Sequence, residues 1–403
     1  MVMLWNKQIQ KAYTFKQGGG GAPPPLISRP FAIYHVVMHD ALNSIIPVYE
    51  TYASDITDPN ADADAAVVQA VYDALNAIGP QSGPARISID SLYEVSMNAI
   101  PEGDRKLAGI TLGKSVAQAV LLKRQGDAPY LVVTGFNPTP PSGTIPGQYK
   151  YVPPLNYALA GFHLMSPWVI RSANQFPVEP PYDVRASKYA KDYKEIMTLG
   201  ELNSAMRTED QRASAIFWAE NASRGWNEVA RQLLSSTHSK LNAWEAARFF
   251  AILHMTIADA YIAAFDGKIH YNFWRPQTAI HEGDADGNDE TAGNVNWVPT
   301  LATPATAEYP SAYAMTGAAA GEFLIRHFKR NNISFSTNSA FFPGTRSFRK
   351  ISDAIRENSL ARIYVGYYFR HSVDVGERRG YDIGDYTYEH ALPKRRPQIC
   401  NDY

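Results

Sequence analysis

The sequence predicts a mainly α-helical protein, and three observations support this fold class. Apolar residues recur at helical spacing, as in residues 246–264, where they follow an i, i+3, i+4, i+7 pattern. Residues 208–211 and 242–245 have the capping-box form, in which two side chains satisfy the N–H groups left free at a helix start. Alternating strand patterns are scarce. We therefore expect an all-α fold.

Four helices are predicted in the first half, each from apolar spacing and end signals such as Gly200. Their predicted ranges are residues 30–46, 61–78, 104–124 and 187–199. Before them, residues 17–30 (QGGGGAPPPLISRP) join a flexible glycine run to a stiff proline run, and we interpret them as a lead-in. Residues 127–181 are rich in proline and glycine without a sustained period, which predicts a long wrapped loop ordered by its aromatic residues.

Four further helices are predicted in the second half. The capping boxes open helices at residues 208–218 and from Asn242 to just before Lys268, where Asp266 and Gly267 indicate an end. The other two are predicted at residues 311–328 and roughly 348–369. No short internal repeat is present.

Composition excludes several classes of protein. The chain has 403 residues with 45% hydrophobic content, enough for a large core. Its 38 basic residues balance 39 acidic ones, which argues against broad nucleic-acid or membrane-surface binding. Cys400 is the one cysteine, so internal disulfides and cysteine-based metal clusters are excluded. With no run of about 18 apolar residues and no signal-peptide core in MVMLWNKQIQ, we expect a soluble protein, cytoplasmic by default unless a leader was removed.

Three separated segments place cations or anion-binding groups beside aromatic residues: residues 268–276, 309–313 and 361–371. The middle segment opens the stretch EYPSAYAMTGAAAGEF, in which Ser311 can cap a helix start. Backbone N–H groups and the serine hydroxyl would then face one point, which is the usual arrangement of an anion site. The segments together predict an anion-binding pocket.

The order and spacing of these segments resemble the vanadium-dependent haloperoxidases and the related type 2 phosphatidic acid phosphatases. That family has the pattern K-x6-R-P, then P-S-G-H, then S-R-x5-H-x3-D. The first block is intact here, whereas Ala312 and Tyr313 replace the second block's glycine and histidine. In the third block Arg362 is kept, and the replacements are Ala361 for serine, Tyr368 for histidine and Ser372 for aspartate. Similarity extends to FAIYHVVMHDALNSI, GDADGN and GAAAGEFL.

The resemblance implies two helical bundles side by side. Residues 1–195 would form an N-terminal bundle with its wrapping loop, and residues 196–403 a C-terminal bundle that carries the pocket, as one compact unit. It also implies that Lys268, Arg275, Ser311 and Arg362 grip the equatorial oxygens of vanadate or phosphate. Guanidinium groups suit this task because they form charge-assisted bidentate bonds to oxyanions. We expect phosphate or sulfate to occupy the pocket.

The resemblance assigns the reactive roles to the two histidines that this sequence lacks. In the family one is the axial vanadium ligand or the phosphatase nucleophile, and the other is the acid/base. Tyrosine provides neither basicity near neutral pH nor a nitrogen lone pair, so we expect no cofactor and doubt that vanadate binds. The catalytic candidates are Tyr313, Tyr368 and Ser311, with the pKa of the two phenols lowered by the surrounding cations. His270 and His371 are second-shell candidates.

We therefore expect a haloperoxidase-like enzyme that has lost vanadate dependence and carries out acid/base rearrangement or cyclisation of a small, natural-product-type substrate with an anionic or enolisable group. Three alternatives stay open: an active haloperoxidase or phosphatase with a substitute ligand, a non-catalytic anion-binding homologue, and tyrosines that only fill volume. No metal site is predicted, because residues 284–289 lack the glutamate that closes a calcium loop. His254, His39 and Asn43 are interpreted as packing residues. The oligomeric state is not readable from the sequence.

Overall fold

The computed structural model describes residues 1–13, 23–151, 153–154 and 156–395. The fold is all-α, as predicted, and the one regular sheet in these residues is a short antiparallel hairpin of β1 (Phe335–Asn338) and β2 (Thr345–Phe348). The α-helices are, in chain order, α1 (Val2–Ala12), α2 (Pro24–Asn43), α3 (Ala63–Ile78), α4 (Gly83–Asn98), α5 (Asp104–Lys123), α6 (Ser187–Leu199), α7 (Glu209–Phe217), α8 (Ala222–Ser236), α9 (Ala243–Tyr271), α10 (Pro276–His281), α11 (Ala312–Phe328), α12 (Ile351–Tyr364) and α13 (Arg370–His390). Cys400 and the glycine run at 18–21 lie outside the described residues.

The helix starts follow the capping signals in the sequence. Thr208 and Asn242 form the predicted capping boxes of α7 and α9, and Ser311 caps α11. The start predicted at Pro30 is wrong, because α2 already begins at Pro24. Prolines are tolerated in a first turn, whose N–H groups have no partner within the helix.

The predicted end of α9 before Lys268 is also wrong. The helix continues to Tyr271 and ends where Asn272 takes the left-handed conformation, with φ of 44°. Gly267 does not terminate the helix. It makes room for a neighbouring segment, since a Cβ atom there would lie 2.6 Å from Cδ of Pro310. Lys268 consequently lies on the last turn of the helix.

The helix predicted near residues 348–369 corresponds to α12, which ends earlier, at Tyr364, and a further helix, α13, follows from Arg370. The chain turns between them at Gly366, whose φ of 86° favours glycine and whose added Cβ would lie 2.7 Å from the carbonyl oxygen of Gly200. This turn carries Tyr367 and Tyr368. Helix α13 was not predicted, and neither were α1, α4, α8 and α10. The buried face of α13 includes small residues instead of the large apolar ones that give a helical period.

Those small residues form a glycine stripe, Gly376, Gly380 and Gly384, along α13. An added Cβ at these positions would lie 2.5, 2.3 and 2.5 Å from carbonyl oxygens of α11. The two helices are therefore in backbone contact, which any side chain beyond hydrogen would prevent. Within the GAAAG run on α11, Ala318 and Ala319 face this contact, whereas Gly317 and Gly321 face Asn358 and Ile355 of α12.

Gly380→Ala is expected to lower the free energy of unfolding by about 1–3 kcal/mol, because the methyl group overlaps the Met315 carbonyl and pushes the helices apart. Denaturant unfolding measures the change. Gly225→Ala on α8 is the matched control: its added Cβ meets no atom closer than 3.8 Å, so alanine should be neutral or stabilising there. Equal stability of the two variants would contradict the close contact.

The core is organised around α9. This helix is long and apolar enough to cross a membrane, with a mean hydropathy of 1.4, but 94% of that stretch is buried inside the protein. It packs against α2 of the first half and against α11 and α13 of the second. It is thus a core helix shared by both halves.

The long loop at residues 127–181 has no α-helix or strand among its described residues. A buried carboxylate fixes it: Asp259 accepts backbone N–H groups of Trp168, Val169 and Ile170 at 2.6–3.0 Å. Buried carboxylates require such partners. The loop is therefore held in place as a wall of the cavity described next.

Candidate active site

A cavity of about 560 Å³ lies between this loop and the helices of the second half. Much of its wall is apolar, with residues such as Val133, Leu159, Phe265, Leu301 and Phe341. Its polar side chains are Tyr261, Lys268, Thr306, Tyr313, Arg362, Tyr367 and Tyr368. Four of the residues predicted from the sequence, Lys268, Arg362, Tyr313 and Tyr368, therefore line a single cavity.

Lys268 is 1% exposed, and the protein itself satisfies its ammonium group. Its Nζ donates to the carbonyl oxygens of Ala307, Glu308 and Pro310 at 2.9, 2.7 and 2.9 Å. An ammonium group has three donors, so these bonds use all of them. Burial, with a smaller effect of Arg275, lowers the pKa of Lys268 well below its usual range.

Arg275 is fully buried and also binds the protein backbone. Its Nε donates to the Thr306 carbonyl at 2.7 Å, Nη2 to the Thr306 hydroxyl at 2.8 Å, and Nη1 to the Tyr367 carbonyl at 3.1 Å. The guanidinium thereby joins the segment before α11 to the turn before α13. Its observed contacts fix the cavity wall.

The ring of Tyr368 faces both of these cations. Nζ of Lys268 lies 4.9 Å and Cζ of Arg275 4.7 Å from the ring centroid, which are cation–π distances. The Tyr368 hydroxyl oxygen also lies 3.5 Å from Nζ of Lys268, close enough to share one of the donors that bind the carbonyls. An aromatic side chain thus contacts the two cations that the family pattern assigns to an oxyanion.

Arg362 differs from the other two cations. It is 1% exposed, and among the described residues its Nε and Nη2 are buried without a hydrogen-bond acceptor. Its Cζ lies 4.7 Å from the centroid of the Tyr313 ring. Arg362 is therefore a buried cavity-lining cation with unused donors.

Tyr313 lies on the first turn of α11, beside Arg362. Burial raises the pKa of Tyr313, and Arg362 lowers it by less. The expectation that cations lower this pKa is wrong, because removing a phenolate from water outweighs the attraction of one guanidinium. The Tyr313 phenol is neutral at physiological pH.

Ser311 caps α11 and does not line the cavity. Its side chain is fully buried, and its Oγ accepts the N–H of Ala314 at 3.3 Å. Its own N–H donates to the carbonyl of Ser372 at 3.0 Å. The serine thus joins the starts of α11 and α13.

The two histidines predicted to support the site, His270 and His371, lie outside the cavity lining. His270 is exposed and packs against Tyr271 at 4.6 Å between ring centroids. His371 stacks on Tyr182 at 3.8 Å, and its Nε2 lies 3.0 Å from the Pro180 carbonyl oxygen. The sequence spacing that suggested His371 as a neighbour of Tyr368 does not bring its ring into the cavity.

The sequence analysis assigned no role to Glu308, although it opens the quoted stretch. Its fully buried carboxylate accepts the N–H of Phe369 at 2.8 Å and the hydroxyl of Ser372 at 2.6 Å, which caps the start of α13. Burial raises the pKa of Glu308 to about 7, although Ser372, Lys268 and Arg275 lower it. The sequence feature that could have identified Glu308 is its position directly before the Tyr-Pro-Ser block. Tyr261 and Tyr367 of the cavity were missed as well.

The lesser candidates have structural partners. The Asp286 carboxylate accepts the Thr291 hydroxyl and the Asn288 N–H at 2.8–2.9 Å. Within the described ranges, no group of three or more His, Cys, Asp or Glu residues could hold a metal ion. His254 is buried in the core and stacks on His35 at 4.3 Å.

Comparison with known proteins agrees with this architecture. The family model of the VCPO second helical-bundle domain matches residues 248–396. The vanadium chloroperoxidase of Curvularia inaequalis is 24% identical over 410 residues, a match that covers 81% of this chain and 65% of that protein. The chain belongs to the vanadium haloperoxidase superfamily. It spans about 65% of the length of this curated relative.

Solved structures of this superfamily share the fold. A bacterial vanadium-dependent iodoperoxidase superposes with a TM-score of 0.78 at 22% identity, and the match covers 98% of this chain and 97% of that one. An apo-type bacterial vanadium-dependent chloroperoxidase gives 0.75 at 15% identity, with 92% and 95% covered. At these identities the likeness establishes the architecture. The reaction of this chain has to be inferred from the residues of its own cavity.

The donor set of this cavity does not fit vanadate. An axial ligand needs a basic nitrogen, and no histidine is among the described residues that line the cavity. Equatorial oxygens need free donors, but Lys268 spends its three on backbone carbonyls and Arg275 binds Thr306 and Tyr367. The Tyr368 ring contacts both cations. We therefore derive no step through vanadate.

Proposed function

We propose that this superfamily member is a vanadate-independent acid/base enzyme of isomerase or cyclase type. Its substrate would be a small, apolar, natural-product-type molecule with an enolisable carbonyl group. One observation carries the proposal: Tyr313 and Tyr368 line a single apolar cavity, and each ring faces a cation. Such a pair can transfer protons between two positions of one bound molecule.

Tyr313 is suited to the role of proton donor. Because burial raises its pKa, the hydroxyl keeps its proton at neutral pH and can donate it to a carbonyl oxygen. The guanidinium of Arg362 beside it would stabilise the negative charge that develops on that oxygen during enolisation. A buried site strengthens this effect because water does not screen it.

Tyr368 is suited to the opposite role. The Lys268 ammonium lies 3.5 Å from its hydroxyl oxygen, and Arg275 faces its ring. In the proposed step the Tyr368 hydroxyl oxygen, once its own proton has left, takes the proton of the substrate's α-carbon, and the substrate oxygen receives the hydrogen bond or proton of Tyr313.

Hydrogen–deuterium exchange tests this function without knowledge of the natural substrate. The protein is incubated in D2O with a panel of enolisable aryl and alkyl ketones that fit about 560 Å³, and NMR follows deuterium at the α-carbon. We expect exchange above the buffer rate for at least one ketone, without added vanadate. Exchange that appears only with vanadate would contradict the proposal.

Orthovanadate is expected to bind no more tightly than inorganic phosphate, because all three donors of Lys268 and three of the five of Arg275 bond the protein. Calorimetric titration with both anions measures this. Bromination of a phenol dye with peroxide, in the same vanadate-incubated sample, should stay at the rate of a protein-free control. Tight vanadate binding with bromination would restore the haloperoxidase alternative.

A binding protein without turnover is the second candidate. The backbone bonds of Lys268 and Arg275 favour it, since they make the cavity a fixed receptor. It predicts ligand binding with no α-proton exchange for any member of the panel. The exchange assay therefore separates the two candidates.

A further inference from the structure

The Nε and Nη2 donors of Arg362 are the starting point for a statement about the ligand. Both are buried, and neither has an acceptor among the described residues. Leaving charged donors unsatisfied in the interior is unfavourable, and such groups in native proteins usually have a partner. Because Arg362 also lines the cavity, a cavity ligand is the natural source of that partner.

The identity of the two nitrogens restricts the partner. Nε and Nη2 form one edge of the guanidinium, and their two N–H bonds run parallel. That edge matches the two oxygens of a carboxylate in a bidentate, charge-assisted pair. Turning the guanidinium to meet a ligand breaks no hydrogen bond at these two atoms. The Tyr313 ring, 4.7 Å from Cζ, supports the guanidinium face.

The rest of the cavity restricts the charge and the body of the ligand. Lys268 has its donors on carbonyl oxygens, so Arg362 is the lining cation with donors to spare in the described part of the chain. A single cation suits a monoanion better than a phosphate dianion. The apolar wall, with Val133, Leu159 and Phe265, suits a hydrocarbon or aromatic body.

We propose that the cavity recognises an apolar monocarboxylic acid, whose carboxylate pairs with the Nε–Nη2 edge of Arg362 and whose body lies against the apolar wall. This inference rests on the proposed function and names its substrate class: an acid that also carries an enolisable carbonyl group. Recognition of the carboxylate by Arg362 would then fix the position of the carbonyl between the two tyrosines.

Calorimetry with matched probes tests the recognition step alone. The probes are 2-naphthoate and its neutral isostere 2-naphthamide, with acetate as a carboxylate without a body and inorganic phosphate as a dianion. We expect 2-naphthoate to bind about 10–100-fold more tightly than 2-naphthamide. Acetate and phosphate should bind more weakly than 2-naphthoate, since neither has an apolar body.

Arg362→Met should abolish the preference for the acid and leave the binding of the amide unchanged. Arg356→Met on the same helix is the matched control, because Arg356 is 43% exposed and pairs with Asp374 on the surface. It should keep the full preference. The comparison of acid with amide needs no variant, so it holds even if Arg362→Met folds poorly.

Three results would overturn the inference: equal binding of acid and amide, tighter binding of phosphate than of 2-naphthoate, or no binding of either naphthyl probe. These failures are distinct from failure of the proposed function. Suppose that a neutral ketone exchanges its α-proton but the protein binds 2-naphthoate no more tightly than 2-naphthamide. The proposed proton transfer is then supported, and carboxylate recognition is contradicted. If the protein prefers the acid but no ketone exchanges its α-proton, carboxylate recognition is supported and the proposed proton transfer is contradicted.

Discussion

Tyr313→Phe is expected to reduce α-proton exchange by about 10²–10⁴-fold, the usual contribution of a positioned general acid. The change removes one oxygen and keeps the ring over Arg362. Substrate affinity should therefore change much less than the exchange rate. NMR-detected deuterium exchange on the best ketone of the panel gives the rate, and calorimetry gives the affinity.

The control for this variant is Tyr381→Phe. Tyr381 lies on α13 in a surface groove with Glu322 and Asp385, away from the cavity lining. Tyr381→Phe removes the same hydroxyl oxygen, and this variant should catalyse α-proton exchange at the wild-type rate. If Tyr313→Phe retains full exchange, Tyr313 has no acid/base role and packing is its function. A parallel loss in both variants would indicate a general effect on folding.

Glu308→Ala is expected to lower the free energy of unfolding by about 3–5 kcal/mol, the range for removing one partner of a buried charged network. The substitution leaves the Phe369 N–H and the Ser372 hydroxyl without their acceptor at the start of α13. It also removes a carboxyl group that interacts with Lys268 and Arg275. Denaturant unfolding measures the loss, and a loss below about 1 kcal/mol would contradict the capping role.

The pH dependence of stability gives a second measure of Glu308. Its pKa in the folded state is about 7 against an ordinary 4.5, so the folded state binds more protons between these values. The free energy of unfolding should therefore fall as pH rises through this window, by roughly 3 kcal/mol from this group.

Glu308→Gln keeps the shape and removes the titration, so its stability should change less between pH 5 and pH 8. The buried carboxyls of Asp192 and Asp259, whose pKa values burial raises to about 6, act in the same direction and remain in the variant. An identical pH slope in wild type and Glu308→Gln would assign the whole effect to those residues.

The sequence was sufficient for the fold where local physics dominates. Capping boxes at Thr208 and Asn242 marked two helix starts, and the family motifs identified the bundle architecture. The errors lie where contacts between distant parts of the chain determine the local structure. Gly267 resembles a helix end but serves the approach of Pro310, and Gly366 breaks a predicted helix because Gly200 packs against it.

Four of the predicted site residues line one cavity, Ser311 and Arg275 do not, and the electrostatics of the cavity could not be predicted. Motif matching brought Lys268, Arg362, Tyr313 and Tyr368 into one cavity. It could not reveal that Lys268 bonds three backbone carbonyls, because those carbonyls come from a segment whose path is set by folding. Nor could it reveal that burial outweighs Arg362 at Tyr313, since desolvation depends on packing.

The glycine stripe between α11 and α13 has a consequence for the evolution of the superfamily. Tyr313 and Tyr368 lie at the starts of these two helices, and backbone contact fixes the spacing of the helices independently of either side chain. A histidine codon becomes a tyrosine codon by a single base change. A gene can therefore change the side chain at either position in a single mutational step while the frame around it stays the same.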